Sequence, residues 1–327
     1  MIAPELPPFI KAALDDALQG TARNELAPRA ASISAAYRQG GNSGTIRNRA
    51  DALAYALVRM PATYAAVAAS LNALCERRGD FAPSTVLDCG AGPGTASFAA
   101  AQAFASLGTF TLIDANPALR SLALELAQHD PRLAQFGYLA GDARATLAKA
   151  EPADLVIASY MINEISDSAQ RALADLLWQK TADTLLVIEP GTPAGFARIR
   201  ELRARLISQG AHVIAPCPHE RACPMVEPDW CHFTQRLPRS RAHMQLKAAE
   251  VPYEDEKFSY LVLSRQAPAE RAARVLTQPQ LSKIAASVKL CSDNGVGIVT
   301  FPRRDKAAYA RAKKLAWGDT LRGSDSQ

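Results

Sequence analysis

From residue 84 onward, short apolar runs alternate with longer helical segments, and this restricts the possible fold more than any other feature. "STVLDCGAGPGTASFAAAQAF" contains a β-branched run, a glycine turn and an alanine-rich segment, and "TFTLIDANPALRSLALELA" repeats the order. "ADLVIASYMINEI" and "DTLLVIEPGTPAGFARIRELRARLISQG" follow in the same way. Strands that alternate with helices at this interval form crossover units, so we predict a parallel sheet with helices on both faces.

The rest of the chain divides around this core. Residues 1–80 carry apolar residues at helical spacing and are predicted to form a helical N-terminal module. The core spans residues 81–265, with a cysteine-rich insertion at 216–250 between two later strands, "AHVIAP" and "KFSYLVLSR". Residues 266–327 are predicted to form a small, β-rich, basic module, because an Asn-Gly pair joins two apolar runs in "SKIAASVKLCSDNGVGIVTF".

Composition excludes several classes of protein. Hydrophobic and charged residues make up 48% and 21% of the 327 residues, as in an ordinary globular protein of two or three modules. No apolar run is long enough for a transmembrane helix, and we expect no membrane partner. The first residues, "MIAPELPPFIKAALDDALQG", have prolines and acids where targeting peptides have basic residues. We therefore expect a cytoplasmic protein that is monomeric when free.

A glycine turn follows the first predicted strand. Gly90, Gly92 and Gly94 stand between a strand and a helix, where glycine lets a ligand approach the backbone and the positive helix start. Their spacing differs from the G-x-G-x-x-G/A fingerprint of dinucleotide sites, because Thr95 occupies the last position. The turn disfavours NAD or FAD and favours S-adenosylmethionine, which carries no pyrophosphate.

Three carboxylates accompany the turn. Asp88 precedes the glycines and can hold the methionine amino group. Asp114 ends the second strand, where an acid can accept hydrogen bonds from ribose hydroxyls. Asp142, in "LAGDAR", falls where methyltransferases often contact the adenine amino group. A strand, glycines and spaced acids in this order favour a cofactor site over a structural turn with capped strand ends.

The fourth predicted strand ends in "ASYMINEI". Methyltransferases that act on a base or amide nitrogen often have Asn or Asp followed by Pro-Pro-Tyr here, whereas this chain has Asn163 and Glu164 without the prolines. Asn163 could orient an acceptor and Glu164 could take a proton. Either could equally cap the following helix. The sequence therefore favours cofactor binding over methyl transfer.

Half of the six cysteines lie in "CPHERACPMVEPDWC", with the spacing C-x5-C-x7-C. This spacing lacks the C-x2-C pairs of most zinc ribbons, and Cys75 and Cys89 are more simply core residues. The wide spacing and the Cys-Pro pairs suit a 4Fe–4S cluster. Zinc held by three cysteines with His219 or His232 is the alternative, and unligated thiols are the third possibility. The four candidate ligands are Cys217, Cys223, Cys231 and Cys291.

The net charge is +5, and two segments are strongly basic. Residues 232–247 contain four Arg or Lys and no acid, and "FPRRDKAAYARAKKLAWGDTLR" is also basic. Either segment alone would be an ordinary solvated surface. Together, beside a metal-like loop, they favour a polyanion partner. The candidate RNA-binding residues are Arg236, Arg239, Arg241, Lys247, Arg303 and Arg304.

These motifs resemble a known family, the methyltransferase-like proteins associated with the small ribosomal subunit, which include a mitochondrial assembly factor and its bacterial relatives. The resemblance covers nearly everything after about residue 30, in "RMPATYAA", "LDCGAGPGT", "YMINEI", "VIEPGTPAGF", "CPHERACPM", "DWCHFTQR", "YEDEKFSYLVLSR", "LCSDNG" and "AKKLAWGD". It implies a class I methyltransferase fold, an iron–sulfur site whose ligands are the four cysteines named above, and contact with small-subunit rRNA during assembly.

We therefore expect an α/β protein with a class I methyltransferase (Rossmann-like) core, a helical N-terminal module, an inserted metal-binding loop and a small β-rich C-terminal tail. It would bind S-adenosylmethionine and a 4Fe–4S cluster and act with the small ribosomal subunit and its rRNA in assembly or translation. Methylation of rRNA is one activity that such a core could have. The alternative is a free-standing small-molecule methyltransferase with a structural zinc site.

Overall fold

The computed structural model describes residues 1–19, 23–38, 43–247 and 249–322. Eight strands form one mixed sheet at the centre of the molecule. They are β1 (Thr85–Cys89), β2 (Thr109–Asp114), β3 (Gly137–Ala140), β4 (Ala153–Ser159), β5 (Thr181–Pro190), β6 (His212–Ala215), β7 (Phe233–Pro238) and β8 (Tyr253–Ser264).

The strand order along this sheet is β3-β2-β1-β4-β5-β8-β6, and β7 pairs with the outer part of β8. Strands β1 to β5 are parallel, whereas β8 runs antiparallel between β5 and β6. The order reverses direction at β1, and one strand near the far edge is inverted. This is the class I methyltransferase arrangement, so the predicted fold class is confirmed for the core.

Helices cover both faces of the sheet, and several begin where the sequence supplies a cap. The side chain of Asn116 accepts from the backbone N–H groups of Ala118 and Leu119, and a proline follows it at the first helical position. The helices are α1 (Pro8–Ala17), α2 (Arg23–Arg38), α3 (Arg49–Val58), α4 (Met60–Arg77), α5 (Thr95–Ala103), α6 (Pro117–Ala127), α7 (Ala143–Lys149), α8 (Asp167–Gln179), α9 (Pro193–Ile207), α10 (Arg241–Lys247) and α11 (Lys306–Ala312). Two short 3-10 turns, Ser43–Thr45 and Ile162–Glu164, lie beside the carboxyl edge of the sheet.

The N-terminal helices share one hydrophobic core with the sheet. Leu53, Met60 and Leu71 are fully buried and belong to the same cluster as Leu112 and Val262 of β2 and β8. The opposite face is covered by α8 and α9, which pack against β4 and β5 in a second cluster. Helices α1 to α4 therefore form the helical layer on one face of the sheet.

Helices α3 and α4 meet at a bend of 51°. No single helix of the described chain is long and apolar enough to cross a membrane. The bent pair together would be long and apolar enough, by length and composition alone.

A second sheet with its own small core follows β8. Val275, Val288 and Phe301 are buried within it, and a two-residue turn at Asp293–Asn294 joins its two longest strands. The strands are β9 (Ala273–Val275), β10 (Gln280–Leu281), β11 (Ala285–Ser292), β12 (Gly295–Pro302) and β13 (Thr320–Leu321).

Candidate cofactor and metal sites

The glycine turn lies at the carboxyl end of β1, between the ends of β2 and β4. The backbone N–H groups of Gly90 and Ala91 both donate to the carbonyl of Ile113, at 2.8 and 3.0 Å. Gly90 has a φ of 72°, and a Cβ there would come within 2.6 Å of the Met161 side chain. The turn therefore requires glycine and lies at the point of a switched strand order, where open α/β sheets bind ligands.

Asp88 lies beneath this turn and is fully buried. Its Oδ2 accepts from the backbone N–H and the hydroxyl of Ser97, at 3.1 and 2.9 Å. Its Oδ1 has no partner among the described residues. Burial raises the pKa of Asp88 to about 7. A buried carboxylate oxygen without a partner is costly, so it indicates a missing donor.

Asp114 is tied directly to the glycine turn. Its Oδ2 accepts from the backbone N–H of Gly92 at 2.9 Å, and its Oδ1 accepts from that of Asn116 at 2.7 Å. Burial raises its pKa. Asp142 follows the end of β3 and caps α7, where its Oδ1 accepts from the Ala145 N–H at 2.9 Å. All the predicted cofactor residues therefore follow or lie in adjacent strands, although Asp142 is also used as a cap.

Asn163 and Glu164 occupy the 3-10 turn after β4. The Oε2 of Glu164 accepts from the backbone N–H of Ser43 at 3.2 Å and also interacts with the Tyr37 hydroxyl. Burial raises the pKa of Glu164 to about 7. The Oδ1 of Asn163 is buried and has no partner within the described ranges. Both side chains face the same end of the sheet as the glycine turn, and the N-terminal module already engages one of them.

A group of partly exposed side chains near this edge was not predicted from the sequence. Tyr160 follows β4 with a φ of 56°, which is rare for a bulky residue, and its hydroxyl donates to Oε1 of Glu256 at 2.9 Å. The rings of Tyr37 and Tyr55 lie 5.9 Å apart. Arg59 is within electrostatic range of Tyr55, Tyr160 and Glu256. A signal was present in "DALAYALVRM", since tyrosine and arginine interrupt an otherwise apolar helix.

The four candidate cysteine ligands converge on one place. Three lie in the loop between β6 and β7, and Cys291 lies in β11. All four line a single cavity of about 40 Å³. Burial raises the pKa of Cys217 and Cys231, and it raises that of Cys291 to about 12, with the neighbouring thiols adding to the effect. Without a cation, the thiols of Cys217, Cys231 and Cys291 would be protonated at neutral pH.

Two buried arginines, which sequence analysis did not single out, also line this cavity. Arg203 is 4% exposed and donates to the carbonyls of His219 and Arg221. Arg274 is 3% exposed and donates to those of Pro216 and Gly318. Neither forms an ion pair with any residue that the structure describes. Buried positive charge of this kind calls for a negative neighbour.

The thiols are not gathered around a single ion. No group of three or more His, Cys, Asp or Glu side chains in the described parts of the chain is arranged to hold one metal ion. The four thiols fit a metal–thiolate group in chemistry, but among the described residues they are not already arranged to hold a metal.

The two histidines differ in their positions. Nε2 of His219 lies 4.0 Å from the Cys291 sulfur, and its ring lines the cavity. His232 instead stacks on Trp230 and contacts Trp317 edge-on, at centroid distances of 4.9 and 4.8 Å. Only His219 is placed to join the cysteines.

The predicted RNA-binding residues fall into two groups. In the first, Arg236 forms two hydrogen bonds with Asp255, and both Arg239 and Lys247 contact Glu254. Arg241 is exposed and has no ion pair within the described chain. Arg303 and Arg304 lie on the C-terminal module, after β12. The acids come from β8, which pairs with β7, so part of the basic surface is neutralised within the protein.

Comparison with known proteins gives one family. A family model described as "Mitochondrial small ribosomal subunit Rsm22" matches residues 49–322. The human mitochondrial ribosome assembly protein METTL17 is 28% identical over 82% of this chain and 62% of its own length. The mitochondrial Rsm22-cox11 tandem protein 2 of Schizosaccharomyces pombe is 27% identical over 82% of this chain and 42% of its own length. The chain thus spans less than two thirds of these relatives.

Solved structures show only distant likeness. Magnesium protoporphyrin IX methyltransferase from Synechocystis PCC 6803 has 15% identity and a TM-score of 0.42, over 72% of this chain and 94% of that one. Precorrin-6y C5,15-methyltransferase from Geobacter metallireducens has 12% identity and a TM-score of 0.40, over 61% and 86%. The fold assignment rests on the strand order instead.

The relatives correct one expectation. We expected a cytoplasmic protein because the first residues do not resemble a targeting peptide, whereas the matching family and the human and yeast relatives are mitochondrial. The cytoplasmic prediction is wrong, because composition near one end of a chain does not record its compartment.

Proposed function

Since this chain belongs to the Rsm22 family of mitochondrial small ribosomal subunit proteins, we propose that it acts in small-subunit assembly as an iron–sulfur protein that binds S-adenosylmethionine. The family resemblance in the sequence motifs is confirmed by this match. The observation that carries the proposal is the convergence of four cysteines from two distant segments on one cavity beside two buried arginines.

A 4Fe–4S cluster explains this cavity better than a single zinc ion. A cluster can use all four of the thiolates that line the cavity, whereas zinc held by three cysteines and His219 would leave one cysteine spare. Bound to four thiolates it carries net negative charge, which Arg203 and Arg274 would offset. The cluster would hold the β6–β7 loop against the C-terminal sheet, because its ligands come from both.

The glycine turn fits S-adenosylmethionine, whose chemistry is the supply of an activated methyl group. The unpartnered Oδ1 of Asp88 offers an acceptor for the methionine ammonium group. Asp114 offers its remaining acceptor capacity to the ribose hydroxyls, and Asp142 lies where the adenine would extend. Glu164, with a pKa of about 7, could take a proton from an acceptor near neutral pH. Methylation of rRNA remains a proposal that depends on an acceptor reaching Asn163 and Glu164.

Contact with rRNA would use the basic groups that the protein leaves unneutralised. Arg241 and Arg304 are exposed and unpaired in the described structure, whereas Arg236 keeps one face on the ring of Tyr253 at 4.1 Å. Arginine forks suit phosphate oxygens, and such contacts weaken as salt rises.

Two measurements on protein purified without oxygen test the proposal. We expect visible absorption that bleaches on reduction, with matching iron and acid-labile sulfide. Colourless protein with stoichiometric zinc would contradict the cluster. We also expect the protein to sediment with small ribosomal subunits at low salt and to be released at high salt. Protein that stays in the supernatant at low salt would contradict the ribosomal role and favour the small-molecule methyltransferase.

A further inference from the structure

Arg59 is a partly buried cation whose side-chain donors have no acceptor among the described residues. It lies at the bend between α3 and α4, where its backbone N–H donates to Tyr55 and its carbonyl accepts from Thr63. No described residue makes a hydrogen bond or an ion pair with its guanidinium group. Because arginine has five N–H donors and remains charged, a position of this kind calls for an acceptor.

The neighbouring groups keep Arg59 charged but form no hydrogen bonds with its guanidinium group in the described structure. Burial alone would lower its pKa, but the negative neighbours, Glu256 first and then the tyrosines at 55 and 160, raise the pKa above its ordinary value. Glu256 already accepts from the Tyr160 hydroxyl at 2.9 Å, and it does not approach the guanidinium group closely enough for an ion pair. Arg59 itself is only partly buried, so its side chain is not sealed from solvent.

The strand order shows which end of the glycine turn lies near Arg59. β1 lies between β2, which ends at Asp114, and β4, which is followed by Tyr160. A ligand that lies across Gly90 with its ribose at Asp114 must extend its other end toward β4. Met161 packs directly over Gly90, so the residues after β4 border that end. Arg59 lies beside Tyr160 there.

We infer that Arg59 binds the carboxylate of the amino-acid end of S-adenosylmethionine, an inference that rests on the cofactor site proposed above. The planar guanidinium fork matches a carboxylate with two parallel hydrogen bonds. Asp88, beneath the turn, offers a negative acceptor to the ammonium group of the same amino acid. The site would then present opposite charges to the two charged groups of the ligand's amino-acid end.

The test compares ligands with and without that carboxylate. Calorimetry would measure S-adenosylhomocysteine and 5′-methylthioadenosine, which keeps the adenosine and lacks the amino acid, on anaerobically purified full-length protein. We expect Arg59→Gln to weaken S-adenosylhomocysteine roughly ten- to a hundredfold, the usual range for a lost charge-assisted hydrogen bond. Binding of 5′-methylthioadenosine should change less than about threefold, within the scatter of uncharged contacts.

Three further variants separate binding from folding. Arg59→Lys keeps the charge and loses the fork, so it should fold normally and give an intermediate loss. Arg49→Ala removes an exposed arginine at the start of α3, paired with Glu125, and should leave both affinities unchanged. If Arg59 only balances Glu256, then Glu256→Gln in the Arg59→Gln background should restore binding of S-adenosylhomocysteine.

The outcomes are distinct. Selective loss of S-adenosylhomocysteine in Arg59→Gln, without rescue by Glu256→Gln, supports the inference. Equal loss of both ligands, no loss of either, or full rescue overturns it and leaves the cofactor site standing. Wild-type protein that binds neither ligand overturns the cofactor site and this inference with it.

Discussion

Replacing Asp88 by asparagine should stabilise the protein at alkaline pH and weaken cofactor binding at the same time. The side chain is fully buried, with one oxygen bonded to Ser97 and the other without a described partner. Asparagine has the same shape, and its carbonyl oxygen can accept both Ser97 bonds. The exchange therefore removes the charge and puts an amide N–H group in the place of the second oxygen.

The expected magnitude follows from the pKa. Burial raises the pKa of Asp88 from 3.8 to about 7, so the native state binds its proton more tightly than the unfolded chain does. Stability from this group is therefore highest at low pH and falls as the pH rises from about 4 to about 7. A shift of roughly three units corresponds to about 4 kcal/mol at alkaline pH, at about 1.4 kcal/mol per unit. Between pH 5 and pH 8.5 the wild type should lose about 2 to 3 kcal/mol through this residue.

Urea unfolding of both proteins at several pH values measures this difference. The free energy of unfolding of Asp88→Asn minus that of the wild type should rise by about 2 to 3 kcal/mol from pH 5 to pH 8.5. A buried asparagine amide that stays unpaired would cost about 1 to 3 kcal/mol. This cost does not depend on pH, so it does not affect the change in the difference between pH 5 and pH 8.5. Glu164 titrates near the same pH in both proteins and also cancels. A difference that does not change with pH would refute the reasoning.

Three more outcomes are expected. Cys291→Ser should lose iron and become protease-sensitive after about residue 265, because the ligand from β11 then no longer holds the C-terminal sheet. Wild-type iron content in this variant would refute the shared site. Asp114→Ala should weaken binding of S-adenosylhomocysteine by roughly tenfold or more in calorimetry, since a partly buried acceptor is lost, and an unchanged affinity would place the ribose elsewhere. Replacing Arg236, Arg239 and Arg241 together by alanine should lower the log–log salt slope of small-subunit binding by about 0.7 to 0.9 per lost phosphate contact. Arg241→Ala alone should give most of that change, because the other two are paired with β8; an unchanged slope in the folded triple variant would assign all three to an ordinary surface.

Local patterns predicted the elements of the core. The β-branched run of β1, the glycines that permit positive φ, and the Asn116 and Pro117 pair that starts α6 each act within a few residues. The class I fold follows because consecutive strands joined by helices must lie parallel and close together. The hairpin of β11 and β12 was equally local, although its two-residue turn is Asp293–Asn294 and the glycine of the Asn-Gly pair is already the first residue of β12.

The sequence by itself therefore determined the strand–helix alternation, the glycine turn and the family, all of which depend on residues close together along the chain. Only the tertiary structure decided that Cys291 shares a cavity with the β6–β7 loop, and that Arg203 and Arg274 lie beside it. It also decided that Asp255 lies opposite Arg236 across two paired strands, so that a segment without acids is partly neutralised. Arg59, at the bend between α3 and α4, lies within electrostatic range of Tyr160 and Glu256, which belong to distant parts of the chain. Such pairings join residues tens to hundreds of positions apart, and their register is set by how whole layers pack, which no local pattern of residues records.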